Sequence, residues 1–157
     1  IYVSTLFSNS IGFFFNFVMF LLFYNFLEKE SGGMSVQVLW AIPLFINLFI
    51  LSLGISLILS NIYIIAKDIS QIWQVFTSLL FFLSPIFYSL KVFTEALPSF
   101  DYGNPIAGII INARRVLMEQ TAPNFQLLIW DFVYAVFLLL VGLIALNKLG
   151  SKAAEKL

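Results

Sequence analysis

The longest uncharged stretch limits what this chain can fold into: from about Val36 to Ile65 there is no Asp, Glu, Lys or Arg. A bilayer core of about 30 Å is crossed by roughly 20 apolar residues of helix. Three further stretches reach that length, at about residues 6–27, 69–88 and 125–146, and the charged side chain inside the four is Asp131. Hydrophobic residues make up 61% of the 157 and charged ones 10%, against about 25% charged in a soluble domain. The 19 Phe fall in long runs rather than on one face, so these helices have no wet side and lipid is their solvent. The expected class is an all-α membrane protein with four transmembrane helices.

The same composition removes several function classes. Formal net charge is zero, which leaves no basic field for nucleic acid. With no Cys and no His, the chain cannot build a disulfide, a thiolate nucleophile, an imidazole base or a typical zinc site. No GxxxxGK[ST] pattern is present, so no phosphate-cradling loop for ATP is expected on this chain. Catalytic residues, metal ligands and bound cofactors are therefore expected to be absent. The sequence opens on Ile1 with no charged leader ahead of an apolar span, and the expectation is the carboxy-terminal part of a longer protein.

Each span carries its own punctuation. Fourteen Leu, Ile, Phe and Val residues between 6 and 27 favour insertion by about 5 kcal/mol, at about 0.4 kcal/mol each. The second span, 36–65, is longer than one crossing needs and implies tilt or an interfacial first turn. Pro43 lies near its start, where a missing amide matters least. In the third, Pro85 removes the hydrogen bond to the carbonyl of Phe81 and predicts a kink or an end. The fourth runs from Phe125 to Leu146, with a polar tail over 147–157.

Residues 91–124 are too polar to cross and too apolar for a disordered linker. Asn104 followed by Pro105 is a helix start, an N-cap oxygen ahead of a residue suited to the first helical position. Ile106, Ile109, Ile110, Ala113 and Leu117 then recur at helical spacing, with Arg114 and Arg115 to one side. This helix is too short to span, so it is expected to be re-entrant or to lie in the interface. Four spans place both chain ends on one side. Lysines 67, 148, 152 and 156 there balance Lys29, Lys91, Arg114 and Arg115 opposite. Discounting two arginines held in a folded segment tips Lys67 and the tail toward the cytoplasm.

Few side chains in the spans invite chemistry. Asp131, about two turns into the fourth span, is expected to be wet, as an anchor partnered by Arg114 or Arg115 or as a gate charge. Ser52, Ser56 and Ser60, with Gly54 beside them, form a small-residue stripe that predicts a helix-packing seam, with a pore-facing role as the alternative. Ser8, Gly12 and Asn16 form another. Trp40, Trp73, Tyr88, Tyr102 and Trp130 fall where membrane-interface belts occur.

Three clusters resemble the polysaccharide, O-antigen and teichoic acid export branch of the ABC-2 type transporter permeases. The first holds Asn61, Tyr63, Lys67, Asp68 and Ile69; the second holds Ser84, Pro85, Ile86, Phe87 and Tyr88. The third is NPIAGIIINARRVLM at 104–118. Lys67 departs from the arginine more usual there and loses the bidentate fork. The resemblance covers the whole chain and implies the last four of six spans, a homodimer, and a separate ABC ATPase subunit that carries ATP and Mg. It further implies a lipid-linked glycan as cargo and the cytoplasmic (inner) membrane as location. Lys67 and Asp68 would form a cytoplasmic coupling turn, and Pro85, Tyr88, Asn104, Pro105, Arg114 and Arg115 an external gate. Drug or lipid export within the same family, an integral-membrane enzyme of lipid or glycan metabolism, and a membrane scaffold are the competing expectations.

Overall fold

The computed structural model describes residues 7, 8, 10–12, 14–19, 22, 36–66, 68–86, 95 and 100–154. Lys67 and Tyr88 lie outside the described residues, as do parts of the first span and much of 87–99. Among the described residues every regular element is helical. A 3-10 turn, Val36–Trp40, leads into α1, Ala41–Ile65. It is followed by α2, Ile69–Phe82, the short α3, Phe100–Gly103, α4, Pro105–Leu117, and α5, Phe125–Ala154. The described residues between 7 and 22 are helical as well, and the ring of Phe14 lies 6.0 Å from that of Phe45 on α1.

Two stretches are long and apolar enough to cross a membrane, Val36–Tyr63 and Phe125–Lys148, with mean hydropathies of 2.4 and 2.5. Only 28% and 22% of their most apolar windows are buried, so most of this surface is left for lipid, unlike the core helix of a soluble protein. In the third span the helix ends ahead of Pro85, one of the two outcomes expected there. Its helix stops at Phe82, the Leu83 amide makes the last bond, to Leu79, and residues 84–86 form a turn closed by the Ile86 amide on the Ser84 carbonyl at 2.7 Å. The break falls at Pro85, whose ring has no amide to continue the ladder. At fourteen residues, α2 is about 21 Å long, short of a full crossing. The last helix departs the other way and continues past Asn147 to Ala154. No proline follows to stop it, and Lys and Ala are good helix formers.

Helices α1 and α5 run parallel. Trp40 meets Phe125 edge to face at 5.1 Å near their beginnings, whereas Gly54 faces Leu138 and Leu139, and Gly142 faces Leu57, farther along. A Cβ on Gly54 would come within 2.6 Å of the Leu139 backbone nitrogen, and one on Gly142 within 2.8 Å of the Leu57 Cβ. Lipid tails are as apolar as leucine, so helices associate in a bilayer through close packing, and glycine lets two backbones approach. Helix α4 wedges against both partners: Ile109 packs with Leu51 of α1 and Ala135 of α5.

The glycine contact yields a paired expectation. Gly54→Ala forces backbone apart and should destabilise the protein by about 1–3 kcal/mol, whereas Gly103→Ala, with nothing within 4 Å of the added carbon, should leave the thermal midpoint unchanged. Equal midpoints in detergent for the two variants would show that α1 and α5 do not meet at this glycine.

Candidate functional site

The polar side chains of the 104–124 segment converge where α4 passes the end of α2. Asn104 starts α4 as an N-cap: its Oδ1 accepts from the amides of Ile106 and Ala107 at 3.1 and 3.4 Å, with Pro105 in the first turn. Its Nδ2 donates to the Leu83 carbonyl and the Ser84 hydroxyl, both at 3.5 Å, the outer limit for such a bond. Arg114 closes the same junction. Its Nη2 donates to the carbonyls of Pro85 and Ile86 at 2.9 and 3.3 Å, in the turn that follows the end of α2. Of the expected gate residues, Pro85, Asn104, Pro105 and Arg114 thus share one junction.

Arg115 works elsewhere. Its Nε donates to the Ala122 carbonyl at 3.2 Å, and its own carbonyl accepts from the amide and hydroxyl of Thr121. These bonds close the connection from α4 to α5, in which Gln120 takes a left-handed backbone at φ 52°. A pair that the sequence reading missed fixes the same connection: buried Asn112 donates through Nδ2 to the carbonyl of half-buried Asn124, and the Asn124 amide donates to Asn112 Oδ1 at 2.7 Å. Asn124 then caps α5 through the amides of Gln126 and Leu127. Asn directly ahead of the apolar 125–146 run was the available signal for that cap.

Helix α4 runs antiparallel to α1. Ile106 lines a cavity with Ile55, Ile109 packs on Leu51, and Ala113 and Leu117 line another with Ala41 and Leu44. The start of α4 therefore lies about 20 Å along α1 from Ala41, at 1.5 Å per residue, and its end returns to the level of Ala41. Asp131 belongs to this packing. Sequence reasoning leaves it wet, but it is 1% exposed, with its carboxylate where a Cβ on Gly108 of α4 would be. The missing side chain of Gly108 lets α4 come close enough to cover it.

The small-residue stripe divides. Gly54 faces α5, whereas Ser52, Ser56 and Ser60 line cavities between α1 and α2. One of about 380 Å³ is bounded by Ser56, Ser60, Tyr63, Ser70 and Trp73. A second of about 380 Å³ adds Ser52, Thr77 and Ser84, and an apolar third of about 380 Å³ lies against Gly103, Asn104 and Pro105. Trp73 lines all three. The Ser60 hydroxyl donates to the Leu57 carbonyl at 3.3 Å and that of Thr77 to the Trp73 carbonyl at 2.9 Å, so both are engaged with their own helices. Asp68 is exposed at the opposite end of α1 from Arg114, in the turn before α2, where its carbonyl accepts from the amides of Gln71 and Ile72. Among the described residues no three His, Cys, Asp or Glu side chains gather in a way that could hold a metal.

No family model matches the chain, and no solved structure matches it significantly. Two curated proteins do, each an O-antigen export system permease protein RfbA of Klebsiella pneumoniae. Each is 29% identical over 122 residues, covering 77% of this chain and 47% of the relative. The chain spans about half the length of these relatives. Over 122 residues the chain is thus similar to permease proteins of O-antigen export, the branch that its three sequence clusters resemble.

Proposed function

We propose that this chain is the carboxy-terminal part of a permease subunit in an ATP-driven exporter of lipid-linked polysaccharide or a related glycopolymer across the cytoplasmic membrane. The relationship to O-antigen export permeases carries this reading. ATP and Mg belong to a separate ABC ATPase, and the permease acts as a homodimer in contact with membrane lipids. The helix directions support α1, α2 and α5 as successive crossings, and the first apolar run and the further spans of a six-span subunit rest on the resemblance. For α1 and α5 to run parallel, the chain between them must recross the bilayer, and α2 runs back along α1, because Ser70 shares a cavity with Ser60 and Thr77 one with Ser52.

On this reading α4 is re-entrant: it begins deep beside Ile55 and leaves at the level of Ala41, on the outer side. Its junction with the end of α2 is the external gate, with Arg114 as its clasp. An arginine donating to two carbonyls is suited to such a clasp, since hydrogen bonds from charged groups contribute about 1.5–3 kcal/mol and break without leaving covalent damage. The turn at Lys67 and Asp68 lies at the other end, where it faces the cytoplasm and receives the ATPase. Energy thus enters at one end of α1 and the gate sits at the other, with hydroxyl- and indole-lined cavities between them. No residue of this chain is assigned covalent chemistry.

Two outcomes follow. Replacing Lys67 and Asp68 together by Ala should lower ATP-dependent export of lipid-linked polymer in inverted vesicles by about tenfold or more, with the permease still inserted; unchanged export would remove that turn from coupling. Because the chain has no cysteine, Ile106→Cys is a clean reporter of the gate. Labelling by an impermeant thiol reagent should be several-fold faster with Arg114→Gln than with Arg114 intact, and identical rates would sink the clasp.

A further inference from the structure

Asn47 has no place in the gate or the cavities described above, yet it is 0% exposed in the first half of α1, and neither its Oδ1 nor its Nδ2 has a hydrogen-bond partner. A carboxamide offers two donors and an acceptor with two lone pairs, and an apolar interior strongly penalises leaving them bare. The packing identifies what lies opposite. Leu51, Ile109 and Ala135 form one cluster. One helical turn back along the parallel pair leads from Leu51 to Asn47 and from Ala135 to Asp131. Gly108, the residue before Ile109, abuts the Asp131 carboxylate. Asn47 and Asp131 therefore occupy one level of the α1, α4 and α5 junction. One turn farther along α4, Asn112 is already committed to Asn124.

We infer that Asn47 and Asp131 form a hydrated site inside the span, with one or more water molecules held between the carboxamide and the carboxylate. The chemistry selects water over the other small ligands. Both the donor and the acceptor of Asn47 require service, so the occupant must both accept and donate. A bare cation cannot accept from Nδ2, and an anion is repelled by the neighbouring carboxylate. Buried waters typically make about three hydrogen bonds to polar groups of this kind. An apolar cavity of about 150 Å³, bounded by Phe17, Leu44, Leu48 and Ile109, lies near this level, and neither Asn47 nor Asp131 lines it. The site makes Asn47 a partner of Asp131 through solvent, and it stands whether or not the chain exports a glycan.

The test uses the protein purified in lipid nanodiscs. Asn47→Leu keeps the volume and removes the polarity. It should lower the thermal midpoint by several degrees, and adding Asp131→Leu should cost less than the two single changes summed, because the site is lost as a unit. A midpoint raised by Asn47→Leu, or additive effects, would overturn the proposal. If either variant fails to fold, an electron cryomicroscopy map of the unaltered protein at water-resolving resolution decides. Discrete density between the two side chains is expected, and its absence, or direct contact between them, refutes the site.

Discussion

The close approach of α1 and α5 at Gly54 and Gly142 is the constraint on which the other features rest. In a bilayer the two helices gain nothing by hiding leucine from lipid, so their association depends on how tightly backbones pack. The glycines set that approach at one depth, and the parallel direction fixes every level above and below it. It places Leu51 at Ala135 and Trp40 at Phe125. It also leaves a wedge near the beginnings of the two helices, into which α4 fits with Gly108 against Asp131.

From that wedge follows an uneven distribution of polar groups. Where α4 enters, backbone oxygens freed by the end of α2 would face an apolar surrounding, and such groups must be served internally. Asn104, at the start of α4, serves the Leu83 carbonyl, and Arg114, in its last turn, reaches those of Pro85 and Ile86. At the other end of α4, Asn112, Asn124 and Arg115 fix the connection into α5. Both termini of one short helix are thus pinned by side chains, while its middle is held by apolar packing.

Some of this was legible in the residues alone. The apolar runs located α1 and α5, because insertion length is a property of one segment. Asn104 and Pro105 marked the start of α4, because capping is local. What the sequence did not disclose is whatever depends on a second segment. Hydropathy cannot tell a parallel pair from an antiparallel one, so the burial of Asp131 and the orphaned Asn47 were invisible. The serine stripe and Gly54 looked like one seam because they lie close along α1, yet they point to different neighbours. The end of α2 at Phe82 was half visible: Pro85 signalled a disturbance without saying whether a helix would resume beyond it.

The direction of α1 relative to α5 underlies the four-span reading, the depth of α4 and the pairing of Asn47 with Asp131. Oxidative cross-linking in native membranes measures it directly, since no cysteine is present to interfere. The account predicts a disulfide for Leu51→Cys with Ala135→Cys and for Trp40→Cys with Phe125→Cys. A bond between Trp40→Cys and Leu146→Cys instead, with the other two pairs unreacted, would mean that the helices run in opposite directions and would contradict it.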